Sequence, residues 1–221
     1  MSKETPRVCV FDVDHTITAH STAKRFVQVA RHEGLFSLWD MITLPLYYLR
    51  YRRGTMNTSR LDKGVPQLNG KPKTQIEEIS RACYNARITH DIYPEARRLV
   101  AEHKEAGDHL CLASASFETL LRPLADDLGI DHVIGTRLEF RDGYATGGTV
   151  GGPCFGPEKH RRVSEYVSSL GTPLADCAFY SDSSYDLPLL GAVGRPVAVN
   201  PDPILRRAAH EQDWPIREFE L

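Results

Sequence analysis

Excess charge of either sign is missing from this 221-residue chain, in which 27 Lys and Arg stand against 29 Asp and Glu for a formal net charge of -2. The opposite charges are interspersed, so no basic stripe points to nucleic acid and no polybasic tail to anionic lipid. The pairs Arg97-Arg98, Arg161-Arg162 and Arg206-Arg207 fall inside helical patterns and read as solvated helix faces. Long apolar runs are missing as well: no segment reaches the roughly 18 uninterrupted apolar residues of a membrane span. The apolar run of MSKETPRVCVF is too short for a signal peptide. Cysteine is scarce and unpaired in pattern, since Cys9, Cys83, Cys111, Cys154 and Cys177 are odd in number and show no CxxC spacing. They read as buried thiols in a reducing compartment, and the cytoplasm is the expected location. No GxSxG, HExxH or GxxxxGK[ST] occurs, which argues against a serine-hydrolase elbow, a zincin and a P-loop.

What is present is a 41% apolar content, enough for one sizeable core. Short apolar runs at Val8 to Phe11, His109 to Ala113, Asp176 to Tyr180 and Pro196 to Val199, with His132 to Gly135 as a fifth, read as buried parallel strands. Helical patterns lie between them. Tyr93 to Gly107 and Pro157 to Gly171 carry Pro near the start and Gly at the end, and Phe117 to Gly129 follows the same plan. This alternation predicts a doubly wound α/β sheet whose ligands gather at the carboxyl ends of the strands. Residues 18–89 break it with helical segments and no convincing strand. We expect a core of residues 1–17 and 90–221 carrying an inserted helical lid. Within the lid, Leu35 to Gly54 is the most apolar and aromatic part; it reads as lid core with a kink at Pro45, or as a surface that contacts an acyl group.

The stretch VCVFDVDHTIT runs a buried strand into two acids. With a period of two, Asp12 and Asp14 project to the same side, and two anions held that close need a shared proton or a cation. A hard divalent ion with oxygen ligands suits them, Mg²⁺ above all; a solvated acidic turn is the bland alternative. Ser114 follows the second strand, where a hydroxyl can cap the next helix or help cradle an anion. Lys159 opens a helix after the Gly-rich GGTVGGPCFGPEK and either lies on the surface or reaches an anion. Asp182 ends the strand CAFY, and Asp186 follows four residues later, as a ligand or as a helix cap. Capping and solvation give no reason for acids, a hydroxyl and a lysine to gather at the ends of three strands.

Taken in order, DVDHT, the serine of SAS, Lys159 and SDSSYD resemble the four motifs of the haloacid dehalogenase-like superfamily. The helical insertion, and RDGYATGG followed by GPCFGPEK, are similar to its phosphoserine phosphatase-like subfamily. The resemblance implies a mainly parallel Rossmann-like sheet with a helical cap and a Mg²⁺-dependent phosphatase acting on a small phosphomonoester. Asp12 would be the nucleophile that forms an aspartyl-phosphate, and Asp14 the general acid and then the base. Thr16 would position that acid beside the phosphate, while Ser114, the backbone N–H of Ala115 and Lys159 hold the phosphoryl oxygens. The metal would take a carboxylate oxygen of Asp12, the backbone carbonyl of Asp14, and Asp182, with Asp186 completing the shell.

The chain departs from that pattern in two places. Ser21 stands where phosphoserine phosphatases carry an acid for the substrate's ammonium group, and Tyr185 where many relatives have Asn. His15 reads as an exposed turn residue. His20 and Arg60 are candidate cap contacts to the substrate, or plain surface. Two other functions stay open: a phosphotransferase passing the aspartyl-phosphate to an alcohol, and a receiver-like module that binds Mg²⁺ and signals by slow loss of phosphate. Nothing in the sequence specifies an oligomeric state.

Overall fold

The computed structural model describes residues 7–36 and 64–221. Arg60 and most of the aromatic stretch from 35 to 54 lie outside the described residues.

Strand β1 (Val8–Phe11) is apolar throughout because both its faces are covered. Val8 and Val10 enter one hydrophobic layer, and Cys9 and Phe11 enter the layer on the opposite face. The other strands are β2 (His109–Phe117), β3 (His132–Arg141), β4 (Tyr144–Val150), β5 (Ala178–Ser181), β6 (Arg195–Val199) and β7 (Ile216–Arg217). They form one sheet in the order β4-β3-β2-β1-β5-β6-β7, parallel except for the β3–β4 pair. The chain builds outward from β1 through β2 to β3, then returns to β5 on β1's other side. That reversal makes the carboxyl ends of β1 and β5 the switch point of the sheet, where open α/β sheets form their ligand crevice.

Helices α1 (Thr22–His32), α2 (Lys73–Cys83), α3 (Pro94–Glu105), α4 (Glu118–Leu128), α5 (Pro157–Ser169), α6 (Leu187–Leu190) and α7 (Pro203–Glu211) accompany the sheet. Pro occupies the first turn of α3, α5, α6 and α7, where a missing N–H costs no helical hydrogen bond. Gly129 ends α4 in the left-handed conformation, φ 66°. None of the described helices is long and apolar enough to cross a membrane. All five cysteines are buried free thiols.

The structure departs from the sequence expectations at several elements. β2 extends four residues beyond Ala113, and Asp176 lies in a short 3-10 turn rather than in β5. RDGYATGG is an antiparallel hairpin: Asp142 and Gly143 take φ 51° and 82° between β3 and β4, as a two-residue Asp-Gly turn requires. The tip of that hairpin joins the insertion, through Gly70 N–H to the Ala145 carbonyl and Ala145 N–H to the Lys71 carbonyl, both 2.8 Å. Of the arginine pairs, Arg162 is no solvated residue. It is buried, whereas its neighbour Arg161 is exposed and paired with Glu158 and Glu165.

The two ends of the insertion meet at an antiparallel bridge between Thr18 and Ile92. Ala19 N–H donates to the Asp91 carbonyl at 2.8 Å and Tyr93 N–H to the Ile17 carbonyl at 3.0 Å. Arg25 of α1 then clamps the Asp91 carboxylate with two nitrogens, at 2.6 and 2.8 Å.

Beneath the crevice, Phe11 stacks on Tyr180 at 4.9 Å and meets the His103 ring edge-on. His103 bonds the Tyr180 hydroxyl through Nε2 and the Asp108 carboxylate through Nδ1, each at 2.8 Å, with the Cys9 thiol 3.2 Å from Nδ1. These are hydrogen-bond separations, and the cluster clamps α3 to β1 and β5. Phe11→Ala, which empties the centre of this layer, is expected to cost about 3–5 kcal/mol. Urea denaturation should show the midpoint falling at constant slope, and a loss under about 1 kcal/mol would contradict this account of the core.

Candidate active site

Asp12 continues the β1 ladder by one rung, its N–H donating to the Tyr180 carbonyl at 2.9 Å, so its carboxylate stands at the mouth of the β1/β5 crevice. The next residues curl back sharply. The amides of Thr16, Ile17 and Thr18 all point at the Val13 carbonyl, and His15 takes φ 63°, which a polar residue tolerates in a tight turn.

Lys159 arrives in the first turn of α5 and is 4% exposed. Its Nζ donates to Asp12 Oδ1 at 3.0 Å and to Asp186 Oδ2 at 2.8 Å, and it lies 5.9 Å above the Phe179 ring. Burial alone would lower the lysine's pKa, but the Asp12 and Asp186 charges outweigh it and hold the ammonium protonated. Asp186 does not mirror that shift. Burial and the Asp12 charge together raise its pKa more than Lys159 and the Ser181 hydroxyl, 2.7 Å away, lower it. Its side chain makes no cap bond to α6, so the capping alternative for Asp186 does not hold.

Asp182 joins this group from the end of β5. Burial first, and then the charge of Asp12 and a hydrogen bond with it, push its pKa well above the carboxylate range. Three carboxylates around one ammonium leave an anionic excess, which a proton retained on Asp182 relieves. A hard divalent cation fits this donor set, because it would replace that proton and balance the remaining charge with oxygen ligands only.

Asp14 is held differently. Its Oδ1 accepts from the Thr22 amide at 2.9 Å and from the Thr22 hydroxyl at 2.7 Å, and the Thr22 and Ser116 hydroxyls are 2.7 Å apart. Ser114, 2% exposed, accepts the Ser116 N–H at 3.2 Å and does not cap α4; the residue at that cap is Phe117. The Ala115 carbonyl is tied down by the Thr136 hydroxyl at 2.7 Å, and Ala115 itself is exposed.

The remaining sequence candidates are spread more widely. Thr16 is buried and its hydroxyl has no partner among the described residues; the hydrogen bonds described on Asp14 come from Thr22. His15 is exposed and bonds the Ala19 carbonyl, and His20 is exposed beside it. With Ser21, Lys24, Arg25 and Gln28 they line a recess of about 160 Å³. Tyr185 is exposed and packs on Phe155. Sequence reasoning missed Thr22, Ser116 and Ser181. It missed Arg162 too, which bonds the carbonyls of Gly135, Gly151 and Gly152 at 2.7 to 2.9 Å and so fixes the glycine-rich approach to Lys159.

A family model described as haloacid dehalogenase-like hydrolase matches residues 9–191. The chain is 32% identical to a histidinol-phosphatase of Neisseria meningitidis, over 96% of this chain and 98% of that protein. It is 31% identical to a phosphoserine phosphatase of Mycobacterium tuberculosis, over 96% and 70%. A crystal structure of a protein of unknown function from Bordetella pertussis superposes with a TM-score of 0.86 at 30% identity, covering 97% of this chain and 99% of that one.

The crowding at Asp182 sets a pH dependence. An acid whose pKa is raised by folding keeps a proton that the unfolded chain has released, so without metal, stability falls as pH climbs above the carboxylate range. Mg²⁺ is expected to raise the melting temperature by roughly 5–10 °C at about 100-fold excess over its dissociation constant. The increment should be larger at mildly alkaline than at mildly acidic pH and should vanish in Asp182→Asn. A melting curve unmoved by saturating MgCl₂ in the wild type would refute the cation site.

Proposed function

Because the chain belongs to the haloacid dehalogenase-like hydrolases, among the phosphoserine phosphatase-like phosphatases, we propose that it hydrolyses a small organic phosphomonoester through an aspartyl-phosphate on Asp12. The observation that carries this reading is the Lys159 ammonium wedged between Asp12 and Asp186 at the switch point of the sheet. A carboxylate can approach a phosphate dianion only where the charge of both is offset, and phosphoryl transfer asks for alignment and charge neutralisation above all.

On this reading Asp12 attacks phosphorus, the bond to the leaving oxygen breaks, and Asp14 delivers its proton to that oxygen. Water then attacks the aspartyl-phosphate, giving a proton back to Asp14 as the Asp12–phosphorus bond breaks. Ser114 accepts from the Ser116 N–H, which leaves its own hydroxyl proton for a phosphoryl oxygen. Lys159 offsets phosphoryl charge beside it. Asp12, Asp182, Asp186 and the Asp14 carbonyl would hold Mg²⁺, which supplies Lewis-acid neutralisation of the transferring group. Residues 18–89, described at 18–36 and 64–89, serve as the cap of this core, and the recess beside His15 and His20 receives the alcohol.

Asp12→Asn is expected to lower kcat by roughly three orders of magnitude or more while leaving the fold intact by circular dichroism. A phosphate-release screen with and without Mg²⁺ should span O-phosphoserine, histidinol phosphate and unrelated sugar and lipid headgroup phosphates. Catalytic turnover on at least one is the expected outcome. Full activity in Asp12→Asn would remove the assigned nucleophile, and a single turnover per molecule would favour the signalling module instead.

A further inference from the structure

The acid at position 14 is the one site carboxylate that touches neither Lys159 nor a neighbouring acid in the hydrogen bonds described above. Its two donors come instead from one residue, Thr22, the first residue of α1. Helix starts expose amide N–H groups, and the residue at the N-cap position usually satisfies them. Here Ser21 occupies that position without making a side-chain cap bond. Asp14 caps the helix from outside it.

The bond directions follow from the chemistry. An ionised Asp14 only accepts, so the Thr22 hydroxyl donates its proton to Oδ1, and Ser116 must then donate its own hydroxyl proton to the Thr22 oxygen. Both Thr22 donors land on Oδ1. As long as the Thr22 hydroxyl donates, Oδ1 is occupied by its two donors, and Oδ2 is the oxygen left to exchange the catalytic proton. Thr22 in turn does not drift, because Arg25, one turn along, is locked to Asp91 and Ser116 belongs to buried β2. The contact spans the insertion and the sheet: Thr22 lies in the first helix after the Thr18 crossing, and Ser116 is 94 residues away.

We propose that Thr22 is the positioning residue for the general acid and base, with Ser116 locking its hydroxyl, so that the first helix of the insertion decides which oxygen of Asp14 carries the catalytic proton and where it points. This rests on the reading of Asp14 given above. In the first step the proton passes from Oδ2 to the leaving alkoxide as phosphorus moves to Asp12. In the second, water bonds phosphorus and returns a proton to Oδ2 as the Asp12–phosphorus bond breaks and the Asp12 carboxylate is restored.

The test compares Thr22→Val, which removes the hydroxyl at nearly constant shape, with Thr22→Ser, which keeps it. Thr22→Val is expected to lower kcat on an alkyl phosphate about 10- to 100-fold with KM little changed, and Thr22→Ser to recover most of the loss. On 4-nitrophenyl phosphate, whose leaving group departs without a proton, Thr22→Val should release a burst near one equivalent of nitrophenolate and accumulate phosphoenzyme, because only the base step is impaired. Simple destabilisation would shrink the active fraction without such a burst. Ser116→Ala should show the same pattern more weakly. Wild-type kcat in Thr22→Val, equal losses in Val and Ser, or a loss with no burst would each overturn the proposal. Asp14→Asn run alongside separates the two ideas: if it too keeps full kcat, the role of Asp14 fails, and if it alone is inactive, only the positioning by Thr22 fails.

Discussion

An ammonium buried among carboxylates at the reversal of the sheet is the constraint on which the rest of the molecule depends. Taking such charges out of water costs several kcal/mol each, and their attraction offsets that cost only where geometry and further hydrogen bonds are good. The structure supplies both. Lys159 sits between Asp12 and Asp186, Ser181 supports Asp186, and the apolar layers on both faces of β1 hold the backbone that aims Asp12. The group still holds three carboxylates against one ammonium, and the proposed cation and phosphoryl site rests on that residual excess.

Much of the surrounding architecture keeps that cluster in register. Arg162 gathers three carbonyls from β3 and the glycine-rich loop, so α5 starts where Lys159 can reach the crevice. Asp202, the cap of α7, accepts from the Ser184 amide at 2.7 Å, while its own amide bonds the Asp182 carbonyl at 2.8 Å. The loops after β5 and β6 therefore brace one another. On the other side, Asp14 is tied to α1 and α1 to the returning chain at Asp91. The acid thus belongs as much to the insertion as to the sheet, and it is kept apart from the other carboxylates by bonds of its own.

Legibility in the sequence differed between the two halves of this site. Asp12, Asp14, Ser114, Lys159, Asp182 and Asp186 were readable because each follows an apolar run or opens a helix, and topology carries such positions to one edge of the sheet. Thr22, Ser116 and Ser181 were not. A hydroxyl has no period and suits a cap, a turn or a surface equally well, so only the partner it meets gives it meaning. Arg162 was misread because adjacent residues on a helix point about 100° apart, and one arginine of the pair faces solvent while its neighbour faces the core. The β4 hairpin did carry an Asp-Gly turn signal, but a glycine-rich strand lacks the apolar alternation that marks an edge strand.

By itself the sequence determined the local periods: buried parallel strands, helices with Pro starts and Gly ends, and polar residues placed where those elements stop. These depend on backbone sterics and side-chain burial within a few residues. Tertiary structure alone decided which hydroxyl orients which carboxylate, which arginine is buried, and that Asp14 caps a helix eight residues further on. Such pairings join residues that only the finished packing brings within 3 Å, and a hydrogen bond gains its value there because water no longer competes for the same donors.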